Sequence, residues 1–173
     1  LILPADVSWG EGAVAVQLPP AAPPPCNSDA AVAAIAGLLR AGGRNALLLG
    51  GRALREPALV AAARVAARTG AKLFAEVFPT RLERGAGLPS VERIAYLAEL
   101  ASVQLAGIDN LILVDAKAPV SFFAYPGKKS YLVPDNCTVH ELAGPQQHVL
   151  GSLEKLVQAV DASATEAALQ VPV

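Results

Sequence analysis

The sequence has 173 residues and contains no methionine. Translation normally begins with methionine, and this chain opens Leu1-Ile2-Leu3-Pro4. We therefore expect it to be a piece of a longer protein. Residues 163–173 show no closing element, and we expect them to begin a linker to a further domain. The length in between suits one domain with its own hydrophobic core.

Cysteine, aromatic residues and long apolar runs are also scarce. Two cysteines, Cys26 and Cys137, do not make the disulfide framework of a small secreted protein. Hydrophobic residues reach 53%, but Arg, Gly or Pro interrupts each apolar stretch before it attains membrane-spanning length, and no export signal is visible. Aromatic residues make up only 5%, which argues against a stacking surface for nucleic acid. We expect a cytoplasmic protein that binds neither nucleic acid nor a membrane.

Charge is balanced overall, at −1, but unevenly distributed. Residues 40–93 hold nine arginines and one lysine against four glutamates, a local balance of +6. Residues 94–173 hold four lysines against eight acidic residues, a balance of −4. Such polarity suits an anionic ligand or an acidic neighbouring domain, and equally a solvated helix face.

Proline separates the first 26 residues from the rest. The run Pro19-Pro20-Ala21-Ala22-Pro23-Pro24-Pro25 is too rich in proline for a helix or a sheet interior, and favours a stiff, extended linker. Asn27-Ser28-Asp29 is then a typical helix start. The domain is predicted to span residues 27–162, with residues 1–26 as a tail and linker.

Within the domain, short apolar strands alternate with amphipathic helices. Helices are predicted at Ser28–Ala41, Pro57–Thr69, Ser90–Leu105 and Val149–Val160. Strands are predicted at Asn45–Leu49, Lys72–Val77, Asn110–Val114, Ser130–Val133 and Thr138–Glu141, with Thr80–Ala86 as a candidate sixth. This alternation predicts an α/β domain: a doubly wound parallel sheet of five to six strands with helices on both faces.

The candidate cofactor-binding residues follow the first and third strands. Such sheets bind ligands beyond the carboxyl ends of their strands. Gly50 and Gly51 would let backbone approach a phosphate, which Arg52 could pair with, and Asp115 and Lys117 could reach the same cleft. The run is neither GxGxxG nor a P-loop. A plain strand-to-helix turn, with Asp115 and Lys117 in surface salt bridges, is the alternative.

No catalytic residue and no metal site is predicted in this chain. Cys137 and His140 have a ligand-like spacing, with His148 further on, but strand alternation sends the first two to opposite faces. No further cysteine or carboxylate cluster completes a ligand set. No G-x-S-x-G motif occurs, and neither histidine has an obvious nucleophilic partner.

Four segments occur along the chain in a characteristic order: Leu1–Trp9, Asn45–Arg52, Phe74–Pro89 and Asp109–Gly127. This order resembles that in the thiamine-diphosphate-dependent enzymes of the acetolactate synthase type. Leu1–Trp9 is similar to the exit of their upstream pyrimidine-binding domain, and Asn45–Arg52, "NALLLGGR", to the first strand and glycine turn of their central domain. Phe74–Pro89 resembles the segment after the second strand. Asp109–Gly127, "DNLILVDAKAPVSFFAYPG", resembles the third strand and its loop, in wording nearer to benzoylformate decarboxylase.

The resemblance implies a parent enzyme that condenses or decarboxylates 2-oxo acids such as pyruvate, using thiamine diphosphate and Mg²⁺. The family's catalytic glutamate lies upstream of its central domain, and its Gly-Asp-Gly…Asn-Asn segment lies downstream. No Gly-Asp-Gly occurs here. The resemblance thus implies a central domain that is not itself catalytic, partnered by the flanking domains of its chain and by other subunits of a homo-oligomer.

FAD is the remaining cofactor that the resemblance raises, because classical acetolactate synthases hold a non-redox FAD in this domain. Here Asp115-Ala116-Lys117-Ala118-Pro119 replaces the family's glycine-alanine-arginine-phenylalanine-aspartate run, which argues against FAD and for a structural role. Three alternatives stay open: the middle domain of a benzoylformate-type decarboxylase, a non-catalytic nucleotide- or FAD-binding module, and a regulatory interaction domain.

Overall fold

A computed structural model describes residues 2–124 and 126–171. Its centre is a parallel sheet in which five strands run in the order β3-β2-β1-β4-β5. The strands are β1 Asn45–Leu49, β2 Lys72–Ala75, β3 Glu92–Arg93, β4 Asn110–Val114 and β5 Thr138–Ala143. The helices are α1 Ala5–Trp9, α2 Asp29–Arg40, α3 Glu56–Thr69, α4 Ala98–Leu105 and α5 Val149–Ala159, with a 3₁₀ turn at Gly51–Leu54. The predicted α/β class with a parallel sheet is confirmed.

The central strand β1 is buried along its whole length and contributes side chains to the core on both faces of the sheet. Leu47 and Leu49 face the cluster that α2, α3 and α5 cover. Ala46 and Leu48 face the other cluster, to which α4 contributes. Since side chains alternate along a strand, an unbroken apolar run such as NALLL indicates a strand covered on both faces.

Local signals explain where two of the predicted helices begin and end. The Ser28 hydroxyl accepts the Ala31 N–H at 3.2 Å and caps α2. Pro57 lies in the first turn of α3, where the missing N–H costs no helical hydrogen bond. Gly70 ends α3 in the left-handed conformation, φ +74°. Both helices agree with the predicted ranges to within a residue.

The predicted helix from Ser90 to Leu105 is wrong in its first half. Glu92 and Arg93 instead pair with Phe74 and Ala75 of β2 and form the edge strand β3. The Ile94 N–H donates to the Ala75 carbonyl at 2.9 Å, which places the Ile94 side chain in the core from an extended backbone. The helix begins only at Ala98.

Two further strand predictions are wrong. Ser130–Val133 forms no strand of the sheet: Tyr131 makes one antiparallel bridge to Val120, while Leu132 and Val133 pack into the α4 side of the core. Thr80–Ala86 is a loop, in which Glu83 accepts the Glu56 N–H at 2.6 Å and pairs with Arg81. The sheet of the described residues therefore has five strands.

The two terminal segments differ in how they meet the domain. Residues 10–28 contain no helix or strand, and the side chains of α1 are exposed. At the other end, the Gln170 N–H donates to the Leu88 carbonyl and the Gly87 N–H to the Gln170 carbonyl, both at 2.9 Å. Leu1 and residues 172–173, parts of the predicted tail and linker, lie outside the described residues.

Candidate functional site

A cleft of about 510 Å³ opens beyond the carboxyl ends of the strands. Its inner surface is apolar, with Leu48 of β1, Val77 after β2 and Ile94 after β3. Residues 115–120, which follow β4, form a second wall. This is where an open parallel sheet is expected to bind a ligand, and its volume falls in the range of ligand pockets, roughly 300–1,000 Å³.

The glycine turn after β1 is shaped by its own neighbours. The Gly50 N–H donates to the Val114 carbonyl at 3.0 Å, which continues the β1–β4 pairing for one more residue. A Cβ on Gly50 would lie 2.5 Å from the Asp115 carbonyl oxygen and 3.1 Å from the Ala116 Cα. Gly50 is therefore required for the close approach of two chain segments within the domain.

The backbone donors of this turn are already occupied. The Gly51 N–H donates to Glu76 Oε1 at 3.0 Å, and the Arg52 N–H donates to Asp115 Oδ2 at 2.8 Å. A phosphate bound at a glycine turn uses such N–H groups. Here the two N–H groups donate to carboxylates of the chain itself, so neither is free to bind a phosphate.

Arg52 and Asp115 form an ion pair at the edge of the cleft. Arg52 Nε lies 3.0 Å from Asp115 Oδ2, and a terminal guanidinium nitrogen donates to the Pro145 carbonyl at 2.9 Å. The Asp115 side chain is only 9% exposed, and its backbone has φ +51°, a conformation that Asp tolerates better than most residues. Four predicted residues, Gly50, Gly51, Arg52 and Asp115, are thus brought together. Arg52 and Asp115 pair with each other, whereas the two glycine N–H groups donate to Val114 and Glu76.

Lys117, the fifth predicted residue, is exposed on the wall of the cleft and makes no ion pair within the described residues. Two acidic residues that the sequence analysis missed, Glu76 and Glu141, also line the cleft. Glu76 directly follows β2, so the rule that identified Asp115 after β4 could have found it. With Asp115, they bring the number of carboxylates at the cleft to three, and the cations beside these carboxylates are Arg52 and Lys117.

Aromatic side chains at the mouth of the cleft were also missed. Phe78 and Phe122 line the cleft, with ring centroids 4.6 Å apart in an edge-to-face contact. Tyr96 lies against both, at 5.7 and 6.0 Å, and Phe123 lies 5.8 Å from Tyr96. Phe78 and Phe122 are 59% and 51% exposed. Their sequence separation left no local pattern, because only the folded chain brings residues 78, 96 and 122 together.

Cys137 and His140 lie at the opposite, amino end of the sheet. His140 Nε2 lies 3.1 Å from Asn110 Oδ1, and the Asn110 amide donates to Asn45 Oδ1 at 2.9 Å. This chain of three side chains crosses β5, β4 and β1. Burial lowers the pKa of His140 and raises the pKa of the Cys137 thiol. Among residues 2–124 and 126–171, no three His, Cys, Asp or Glu side chains group as metal ligands.

No protein-family model matches the chain. It is 54% identical over 145 residues to a Mycobacterium tuberculosis protein named "putative acetolactate synthase large subunit IlvX". The chain belongs to the acetolactate-synthase-like family of thiamine-diphosphate enzymes. The match covers 84% of the chain but only 28% of the relative's length, so the chain corresponds to one segment of that longer protein.

A solved structure shares the fold of this chain. It is described as a "putative thiamin diphosphate-dependent enzyme" from Mycobacterium smegmatis, and it superimposes with a TM-score of 0.60 at 18% identity. The likeness covers 95% of this chain and 33% of that one. Within the described residues, no helix is long and apolar enough to cross a membrane.

Proposed function

We propose that the chain is the central, non-catalytic domain of an acetolactate synthase-like enzyme that acts on 2-oxo acids such as pyruvate. The observation that carries the proposal is the 54% identity to a segment of the Mycobacterium tuberculosis protein named "putative acetolactate synthase large subunit IlvX". In such an enzyme, thiamine diphosphate, bound with Mg²⁺, supplies the carbon that attacks the 2-oxo group. The described residues of this chain fit neither the diphosphate nor Mg²⁺: the N–H donors of the glycine turn are occupied, and no three His, Cys, Asp or Glu side chains among these residues group as metal ligands.

The misfit is visible at the glycine turn. A diphosphate needs free N–H donors or cations, yet the Gly51 and Arg52 N–H groups already donate to Glu76 and Asp115. The guanidinium of Arg52 is committed to Asp115 and Pro145. The same geometry argues against a diphosphate-bearing FAD. Of the predicted residues, Asp115 and Lys117 line the cleft, while Gly50, Gly51 and Arg52 lie beside it and contact its lining residues Glu76 and Asp115.

The role that we propose is to connect the flanking thiamine-binding domains and to help subunits pack in a cytoplasmic homo-oligomer. The outer face of α4 supports this role, because Leu97, Leu100 and Val103 are all more than half exposed there. Large apolar side chains grouped together on an exposed surface mark a site of contact with another protein surface. Another domain or subunit lying on this face would cover it.

Turnover tests the proposal directly. The longer protein containing this chain and the 173-residue chain alone are each incubated with pyruvate, thiamine diphosphate and Mg²⁺. We expect acetolactate from the longer protein only. Benzoylformate serves as the second substrate: its decarboxylation, without acetolactate formation, would replace the synthase by a decarboxylase. Turnover by the 173-residue chain would refute the non-catalytic role.

A titration of the chain with FAD, ADP and NAD, followed by thermal shift and flavin fluorescence, tests the cofactor part. We expect no saturable stabilisation by any of the three. Saturable stabilisation by FAD or ADP would show that the glycine turn opens to a diphosphate, as in a working cofactor domain.

A further inference from the structure

The cleft discriminates against phosphate by charge as well as by its occupied N–H groups. Glu76 and Asp115 hold the turn, and Glu141 adds a third carboxylate on the β5 side. Arg52 neutralises Asp115. Within the described residues Lys117 is the one cleft cation outside an ion pair, and neither Glu76 nor Glu141 is in one. A diphosphate entering here would meet more negative than positive charge at short range.

The rest of the cleft has the character of a ring-binding site. Leu48, Val77 and Ile94 form its inner surface, and Pro119 lies on the wall. At the mouth, Phe78 and Phe122 meet edge to face at 4.6 Å. Half-exposed phenylalanines bordering an apolar cleft offer ring faces and edges to a flat ligand, and such contacts add to the burial of apolar area.

We propose that this cleft binds a flat, phosphate-free aromatic molecule that carries an amine or N–H donor. The ring of the ligand would lie between the Phe78–Phe122 pair on one side and the apolar inner surface on the other. The donor would lie toward Glu76 and Glu141, because an ammonium group gains from two carboxylates that no cation in the described structure neutralises. This inference does not depend on which reaction the longer protein performs.

Two probes with one ring and opposite charges test the inference. Tryptamine carries an ammonium group and indole-3-propionate a carboxylate. Each is titrated into the ¹⁵N-labelled 173-residue chain, with ADP as the phosphate probe, and backbone amide shifts report both location and affinity. For molecules of this size we expect a tryptamine Kd on the order of 0.1–1 mM. Shifts should concentrate at residues 76–78 and 115–122, and indole-3-propionate should bind at least threefold more weakly.

Variants separate ring contact from charge. Phe122→Ala should weaken tryptamine at least fivefold, whereas the control Val103→Ala, an exposed residue on α4 outside the cleft, should leave the Kd unchanged. Glu141→Gln should reduce the preference for tryptamine over indole-3-propionate. Since Phe122, Val103 and Glu141 are all exposed, the variants should remain folded.

Four results would overturn the inference. Tryptamine could cause no shifts at 5 mM, or its shifts could map to the outer face of α4. Indole-3-propionate could bind as tightly as tryptamine. ADP could bind saturably with shifts at residues 50–52. The turnover assay is independent of all four, so failure of the ligand inference and failure of the proposed function are told apart.

Discussion

The tightest contact in the candidate site gives the sharpest prediction. In Gly50→Ala, the new Cβ would lie 2.5 Å from the Asp115 carbonyl oxygen, against the 3.4 Å at which ordinary contact begins. It would also lie 3.1 Å from the Ala116 Cα. Both obstacles are backbone, so no side-chain rotation can relieve the overlap. The backbone conformation itself is unstrained: Gly50 has φ −137° and ψ 177°, which alanine adopts freely.

The cost follows from what has to move. Overpacking of this kind costs about 1–3 kcal/mol, and separating β1 from residue 115 strains the 3.0 Å bond from Gly50 to Val114 and the 2.8 Å bond from Arg52 to Asp115. Loss of one such bond adds about 1 kcal/mol. We expect a total loss of about 2–4 kcal/mol. For a chain of this size, that lowers the Tm by roughly 5–15 °C.

Gly37→Ala is the matched control. Gly37 lies inside α2 and is exposed, and a Cβ added there would have nothing within 4 Å. Alanine at this position should raise stability by about 0.5–1 kcal/mol because glycine is a poor helix former. Urea denaturation and thermal melts followed by far-UV circular dichroism measure both variants. A Gly50→Ala melt within 1 °C of wild type, beside the expected gain for Gly37→Ala, would refute the proposed backbone contact.

Three further substitutions probe the core, the ion pair and the polar chain at the amino end. Leu48→Asp should abolish the cooperative melt, because it buries an unpaired charge at a position that is 1% exposed. The control Val16→Asp, in the exposed tail, should melt like wild type. A normal melt of Leu48→Asp would contradict the position of β1. Arg52→Ala should fold and lose only about 1 kcal/mol, since the pair with Asp115 is half exposed on the arginine side; a loss above about 3 kcal/mol in urea denaturation would make Arg52 a core structural residue. The pKa of His140 is lowered by burial, so the unfolded chain binds its proton more readily. The free energy of unfolding should therefore fall as pH drops below about 6.5. His140→Gln should show a smaller fall over the same pH range. Identical pH profiles of wild type and His140→Gln would exclude His140 as a cause of the fall.

Part of the candidate site was predictable from the sequence. Gly50–Arg52 and Asp115 follow apolar runs, and parallel strands end at one edge of the sheet, so their proximity follows from the topology. Their chemistry did not follow. The same residues could bind a phosphate or one another, and only the 2.8 and 3.0 Å contacts to the carboxylates of Asp115 and Glu76 show how they pair in the folded chain.

The sequence by itself determined the elements whose signals are local. The runs NALLL and NLILV predict strands covered on both faces, and Ser28 and Gly70 mark helix ends through their own backbone and side-chain chemistry. These signals depend on neighbours within a few residues, so they survive without knowledge of the fold.

Tertiary structure decided the rest. Glu92 and Arg93 form an edge strand because β2 offers a free edge there. The sequence did not show this strand, because two residues are too few for a strand pattern and the apolar spacing of Val91, Ile94 and Leu97 resembles that of a helix. The ring cluster of Phe78, Tyr96 and Phe122, and the carboxylates around the glycine turn, join residues far apart in the chain. Strand order and register set those distances, and a local pattern carries no information about either.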